Sequence, residues 1–576
     1  MSRPRLFTLL AGAIALCGAL VACGASPDAT TPVATATAFP TMTPPPSARG
    51  AMETPVPSPV SESALEDIRQ RGEIRVGVLY NYPPFCYLAD NGQVQGYEPA
   101  LVQRIGERWG VEVTFVQVTR QTRLPMLIDG EVDMLAAAMP HRRELEQFVE
   151  FSDTTFRSGY VILVRSDSGI DSLAALSGRT VAVAGEEAGE LLEARAAGEG
   201  ISPSVQIFDT FDDAAFAFTE LNMDALVGRR ENLMLFSSSQ DNAEIINEFV
   251  AVEPYAFAVR RGDTPLRDLL NLTLQRIAVD EEYGEIFLAN FYGYAADIFP
   301  TFPGEPAYTF ETFPTDINRE ESVVARIQRG EPLRVAGMEL SPEPAVFDSQ
   351  PILDGYNRAI INEMARRWNV PVVETPDSVG EVGIGLLTAG EVDLVVGVRP
   401  DQSLIGRVAF SQPYYRKGLR LIYMQASPVL GVADLELKPS MIVEPLDISR
   451  SIIEDNNAIP RIQEAGSFDE AFQALLSLSV QAVVGDEYAL MLMQQTDDRI
   501  GVVETRYRPA DYVMALPVAD TDFQALVSFT LQDMKADGTL DALREQYFGP
   551  YLPEGQSLEP LPMDIWPGES YLRVGG

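Results

Sequence analysis

The chain has 576 residues, 46% of them hydrophobic and 22% charged. That length exceeds a single hydrophobic core; at about 100–200 residues per domain it implies roughly three to five units of ordinary globular composition. The formal charge is −40, with lysine only at Lys417, Lys438 and Lys535, and a surface this acidic repels phosphates, which argues against nucleic acid or anionic lipid as the main partner.

Solubility accounts for the same acidity, and by itself it sets no preference for cationic solutes. The cysteines are Cys17, Cys23 and Cys86, and the single histidine is His141. That excludes Cys/His zinc clusters and leaves a nucleophile–histidine pair possible only around His141. No D-x-[DN]-x-[DN]-G calcium loop closes on a glutamate at the right distance. No metal, cofactor or catalytic residue is therefore expected.

The N-terminus reads as an address. Arg3 and Arg5 precede an apolar stretch from Leu6 to Ala22, the layout of a secretory signal. Leu20-Val21-Ala22-Cys23-Gly24 resembles the lipobox of bacterial lipoproteins, which implies lipidation of Cys23 after removal of residues 1–22. An ordinary signal peptide or a short membrane anchor are the other readings. Cleavage removes two arginines and no acids, so −40 becomes −42, and Cys86 remains without a disulfide partner. Residues 23–61 are rich in Ala, Thr, Pro and Ser and read as a disordered tether.

From residue 62 onward the chain repeats itself. Arg75, Gly96, Tyr97, Ala100, Arg108, Trp109, Val111, Phe151 and Ser152 recur 259 residues later as Arg334, Gly355, Tyr356, Ala359, Arg367, Trp368, Val370, Phe410 and Ser411. Gly130-Glu131-Val132-Asp133 recurs at Gly390-Glu391-Val392-Asp393, an offset of 260. A unit this large is a duplicated domain rather than a solenoid repeat. The first copy reads as strand Glu73–Val78, helix Tyr97–Trp109 with Leu101, Val102, Ile105 and Trp109 on one face, strand Val111–Val118, short helix Leu124–Ile128, and strand Val132–Ala138. A long strand follows at Gly159–Val164, and the pattern restarts at Thr180–Ala184. Alternating strands and helices imply open, mostly parallel sheets with ligands at the carboxyl ends of the strands. The expected layout is a first solute-binding domain over 62–297, a semi-rigid Pro-rich linker over 298–321, a second domain over 322–552 and a tail over 553–576.

In order, Gly72-Glu73-Ile74-Arg75-Val76-Gly77-Val78, Tyr82-Pro83-Pro84-Phe85, Gly96-Tyr97-Glu98, Gly130-Glu131-Val132-Asp133-Met134, Val149-Glu150-Phe151-Ser152-Asp153 and Val181-Ala182-Val183-Ala184-Gly185 form an ordered set. Copy two adds Val483-Val484-Gly485-Asp486 and ends Asp537-Gly538-Thr539-Leu540 through Tyr547-Phe548-Gly549. The set resembles family 3 of the bacterial extracellular solute-binding proteins, over residues 66–295 and 322–550. The resemblance implies tandem α/β domains of the type II periplasmic-binding-protein fold, each of two α/β lobes joined by two hinge strands. It places the crossings at Gly159–Val164 and Pro254–Val259 in copy one, and at Gly418–Met424 and Asp511–Val518 in copy two. It also implies capture of an amino acid or carboxylate-bearing solute for the membrane subunits of an ABC importer. The other readings are a sensing module for a separate receptor and a dehydratase-type enzyme on the same fold.

In the family an arginine clamps the ligand carboxylate, a lobe-two aspartate takes the ammonium, aromatics flank the side chain, and a helix N-terminus donates N–H groups. Carried onto this chain, the aromatics are Tyr82 and Phe85, and Ala137 and Ala138 line the site. The clamp position holds Leu145, which leaves Arg142 or Arg143 a few residues earlier, with His141 beside them read as a surface residue. Arg120 stands where an aromatic is usual. Arg229 occupies the acid position in copy one, and Glu186 and Glu187 open the lobe-two helix, so the ammonium pocket is either rebuilt from these glutamates or lost. A carboxylate ligand lacking an ammonium fits this set of arginines. Copy two keeps Asp486 but has Glu339-Leu340-Ser341-Pro342-Glu343-Pro344 in place of the aromatic loop. Copy one is expected to hold the ligand, and copy two to bind weakly or serve structure.

Overall fold

A computed structural model describes residues 59–576 except 61, 298, 300, 318–320, 340–345, 437, 457–460, 554, 573, 575 and 576. The signal segment, Cys23, most of the tether and most of the 339–344 loop lie outside the described residues. Lobe one of copy one is a five-stranded sheet in the order Glu112–Val118, Glu73–Leu79, Met134–Pro140, Tyr255–Arg260, Val149–Phe156. Its first three strands are parallel, and Tyr255–Arg260 runs antiparallel to both neighbours. Met134–Pro140 is apolar throughout, and Tyr255–Arg260 is apolar up to Val259, because both faces of the sheet are covered there. Helix Tyr97–Trp109 buries Leu101, Val102, Ile105 and Trp109 and ends at Gly110, whose φ of 69° suits the left-handed cap. Lobe two is a second five-stranded sheet in the order Ser204–Phe208, Thr180–Ala184, Ala225–Arg229, Gly159–Val164, Glu244–Val252.

The crossings differ from expectation. Gly159–Val164 lies wholly in the lobe-two sheet and Tyr255–Arg260 wholly in lobe one. The chain changes lobes just before each, at Arg157-Ser158 and at Glu253-Pro254, where Glu253 N donates to Ser158 O at 2.8 Å. Apolar runs mark strands but not the polar residues between them, so the sequence placed the hinge a few residues late. In copy two the strands Tyr415–Met424 and Tyr507–Leu516 pair with each other and carry both lobes in one continuous sheet.

The repeat is a repeat of interactions. Asp133 accepts from Arg75 N and Nη2, both at 2.8 Å, and Asp393 accepts from Arg334 N at 2.8 Å and Nη2 at 2.6 Å. Trp109 Nε1 donates to Thr273 at 2.8 Å and Trp368 Nε1 to Thr530 at 2.9 Å. Asp263 caps Ala64 N at 2.8 Å, as Asp520 caps Val323 N at 2.7 Å.

The connecting segment is not a spacer. Phe299 and Phe313 are buried in the core of lobe one, Phe310 stacks on Trp109 at 5.3 Å between centroids, and Arg69 Nε donates to Phe310 O at 2.8 Å. The C-terminal segment also packs back: Trp566 stacks on His141 at 3.7 Å, and Pro567 O accepts from Arg143 N at 3.0 Å. The copies, the connection and this segment pack as one body.

Gly159 sits at the crossing with φ 145°, and a Cβ there would lie 2.2 Å from Ala251 O. Gly159→Ala is expected to cost about 3 kcal/mol, from strain and from the push on a paired strand. Urea unfolding checks this; a cost below about 1 kcal/mol means the crossing yields freely.

Candidate functional site

The cleft of copy one is organised by charge. Glu253, in the crossing and only 3% exposed, receives Arg142 from lobe one and Arg229 from lobe two. Arg142 Nε donates to Glu253 Oε1 at 2.6 Å, and Arg229 Nη1 donates to Oε2. Glu187, in the first turn of helix Glu186–Glu199, accepts from Arg142 Nη2 at 2.9 Å and from Tyr160 O–H at 2.8 Å, and lies 3.7 Å from Arg229 Nη2. The Arg229 guanidinium also stacks over Tyr160 at 4.9 Å. Two arginines and two glutamates thus form a closed ring across the lobes. The Arg142–Glu187 arm is half-exposed and contributes about 1 kcal/mol or less; the pairs with buried Glu253 hold the ring.

A second bridge lies beside it. Glu231, fully buried in helix Arg230–Ser238 of lobe two, accepts from Tyr82 O–H at 2.8 Å, Tyr255 O–H at 2.9 Å and Ser158 O–H at 2.6 Å. Burial first, and the adjacent Glu231 with it, pushes the Tyr82 hydroxyl above its ordinary range, so it stays a donor. Arg120 stacks over the Tyr82 ring at 5.1 Å. Below this, Ala138 adopts φ 45° and donates its N–H to both oxygens of Glu98, at 2.9 and 3.1 Å. Arg123 Nη1 donates to Ala137 O at 2.8 Å. Burial pushes the Glu98 carboxyl up to about 7, partly offset by the Ala138 N–H.

The family model for bacterial extracellular solute-binding proteins, family 3, matches residues 74–292 and 333–550, about three quarters of the chain. The chain belongs to this family. The ABC transporter glutamine-binding protein GlnH of Bacillus subtilis (strain 168) is 29% identical over 207 residues, covering 34% of this chain and 72% of that protein. The glutamine-binding protein of Geobacillus stearothermophilus is 31% identical over 202 residues, covering 34% and 74%. A mutant of ArgBP from T. maritima, seen in a crystal structure, is 30% identical, covering 40% of this chain and 99% of that one, with a TM-score of 0.30.

Within this family 3 frame, Arg142 and Arg229 meet on Glu253, Tyr82 reaches Glu231 across the hinge, and Arg120 lies on the Tyr82 ring. Five expected ligand residues are placed otherwise. Phe85 is 1% exposed and packs among Tyr97, Phe156, Tyr255 and Phe291, so it is core rather than a ligand wall. Arg143 points to copy two, donating to Gln532 Oε1 at 3.0 Å and Asp533 Oδ1 at 2.6 Å; the extended backbone at Arg142 sends the neighbouring side chains opposite ways. Glu186 is exposed, and its neighbour Glu187 joins the ring. Ala137 and Ala138 spend the peptide groups named above on Arg123 and Glu98. His141 is buried, not on the surface, between Phe151 and Trp566. The reading from sequence passed over Glu98, Arg123, Glu231 and Glu253. Only Glu98 stood in a quoted motif, next to Gly96-Tyr97.

In copy two Asp486 is already answered. It caps helix Glu487–Thr496, accepting from Tyr488 N and Ala489 N at 3.1 Å, and Lys417 Nζ from the hinge strand lies 2.9 Å away. An ammonium of the protein's own stands where the family places that of a ligand. Arg506 Nε on Glu487 at 2.7 Å and Arg416 Nε on Asp511 at 2.7 Å fill the adjoining space.

Glu98 gives a pH dependence. Its folded-state value near 7 lies above the ordinary 4.5, so between those values native protein holds a proton that unfolded chain releases. Stability from this group is present at low pH and lost as pH rises through that window. Relative to Glu98→Gln, wild-type protein should lose about 3 kcal/mol between pH 4.5 and 7 in urea unfolding; a flat difference contradicts the assignment.

Proposed function

We propose that this chain is an exported, lipid-anchored binding protein that captures a zwitterionic solute, an α-amino acid, in the cleft of copy one. It delivers that solute to the membrane subunits of an ABC importer and performs no chemistry on it. The observation that carries this reading is the charge balance of the cleft. Arg142 and Arg229 face Glu187 and Glu253, so positive and negative groups are equal in the ring. A dicarboxylate entering it would meet two glutamates as well as two arginines, which weighs against the ammonium-free ligand expected from the sequence. A zwitterion replaces both halves of an internal ion pair at once: its carboxylate takes an arginine, its ammonium a glutamate, and no charge is left buried alone.

The two relatives described above are named for glutamine, a neutral zwitterion, which supports the same class. Tyr82 and Tyr160 supply amphipathic faces on either side of the ring of charges. Binding by copy two is not part of this reading, because Lys417 neutralises Asp486.

Calorimetry on the full chain tests the proposal. Glutamine and other neutral amino acids should bind at one site, and Arg142→Ala should weaken that binding at least about tenfold, about 1.4 kcal/mol. Binding of succinate with no binding of any amino acid reverses the ligand assignment, and turnover of the bound solute reverses the binding-only assignment. For the anchor, Cys23→Ser should move the protein from the membrane fraction to the soluble fraction of expressing cells. Retention in the membrane rules out lipidation at that residue.

A further inference from the structure

A cavity of about 660 Å³ lies between the two copies, bordered by the crossing residues Arg157 of copy one and Arg416 and Asp511 of copy two. Lobe one of each copy walls it, with Phe299 and Phe302 of the connecting segment and Asp564 and Trp566 of the C-terminal segment. Its size falls in the range of small-molecule sites, and domain boundaries are where such sites concentrate. No member of the Arg142–Glu187–Arg229–Glu253 ring lines it.

Most charges in its wall are matched. Glu150 takes Arg267 Nη1 at 3.0 Å and Gly262 N at 2.9 Å, Asp297 takes both terminal nitrogens of Arg230 at 2.7 and 2.9 Å, and Asp511 takes Arg416 at 2.7 and 2.9 Å. Two carboxylates are only partly matched. Asp268 is 6% exposed and lines the cavity; its Oδ1 accepts from Arg267 Nε at 2.9 Å, while its Oδ2 has no hydrogen-bond partner among the described residues. Arg267 is already shared with Glu150. Asp153 accepts from the neutral amide of Gln275 at 3.3 Å, and burial, with the nearby charge of Asp268 added, pushes its carboxyl up to about 6. A buried oxygen without a donor is costly and calls for a partner.

The chemistry of that partner follows from the rest of the wall. Tyr283, Phe299, Phe410 and Trp566 present rings to the same space. A bare divalent ion needs about six oxygens close by, and an aromatic-walled space of this size does not supply them. Rings with carboxylates suit an organic cation, through ring faces and charge-assisted hydrogen bonds. We propose that this cavity is a second ligand site, which binds an ammonium or amidinium on an aromatic or apolar body, with Asp153 and Asp268 as its counter-ions. The site exists only where the two copies meet, which gives the divergent copy two a role in binding that its own cleft does not provide.

Titration calorimetry of the full chain with tryptamine tests this. Saturable binding at one site per chain is expected, weakened at least tenfold in both Asp268→Asn and Asp153→Asn and unchanged in Arg142→Ala. Asp153→Asn keeps the shape of the side chain and its contact with Gln275, so it stays informative if Asp268→Asn disturbs Arg267 and the interface. Absence of saturable binding up to about 1 mM, corresponding to about −4 kcal/mol, overturns the proposal. So does binding that survives both aspartate substitutions, or binding that Arg142→Ala removes.

Discussion

The geometry of copy one depends on one buried carboxylate. Glu253 lies in a segment that changes lobes, and its two oxygens are taken by arginines from opposite lobes. A carboxylate removed from water is tolerated only when its lone pairs are filled by well-placed donors, and here both donors are guanidinium groups. That requirement fixes where Arg142 and Arg229 can be. Their positions in turn bring Glu187 and Tyr160 to the same point, and the cleft wall is the outcome. On the proposed reading, a ligand gains affinity only to the extent that it replaces those pairs without stranding a charge.

The two copies show which parts of the frame tolerate change. The pairs Arg75–Asp133 and Arg334–Asp393, and the tryptophan–threonine bonds, occupy matching places. They hold strands and helices together and are indifferent to what fills the cleft. The cleft groups have no such constraint. Where copy one closes Ala138 N onto Glu98, copy two closes Gly397 N onto Tyr414 O–H, which donates to Asn357 Oδ1 at 2.6 Å. An ionisable group under the cleft has been replaced by groups that carry no charge. With Lys417 Nζ 2.9 Å away, Asp486 of copy two sits in an internal ion pair.

The fold was legible because it rests on patterns that survive in one dimension. The 259-residue offset, the apolar strands and the one-faced helix spacing each report a local requirement. The cleft was only partly legible, for two physical reasons. Sequence position does not say which way a side chain leaves an extended backbone, so Arg142 and Arg143 were equivalent on paper and are opposed in space. Partnership across the hinge joins residues far apart in the chain, such as Tyr82 with Glu231 and Arg142 with Glu253, and no spacing rule links them. His141 failed similarly, since its surroundings come from Phe151 and from Trp566, more than 400 residues away. Burial there drives the imidazole down to about 3 and Glu146 up to about 8, so the pair meets at 2.6 Å as neutral groups.

The same interface explains how a duplicated binder can stay a hinged one. Arg143 on Gln532 and Asp533, Arg261 on Asp522, Arg267 on Gln524 and Trp566 on His141 all attach copy two or the C-terminal segment to lobe one of copy one. Arg157 with Asp564, at 3.3 Å, reaches the crossing itself. Lobe two of copy one meets lobe one and the connecting segment through the two crossings, the arginine–glutamate ring, the hydroxyls on Glu231, the Arg230–Asp297 pair and Met234, which is buried in the lobe-one core. Charge-assisted hydrogen bonds of that kind can be exchanged one for one with those of a ligand, whereas the aromatic and apolar packing between the copies offers no such exchange. The exchangeable bonds between the lobes of copy one therefore lie in the polar ring and the short crossings, with copy two packed behind lobe one.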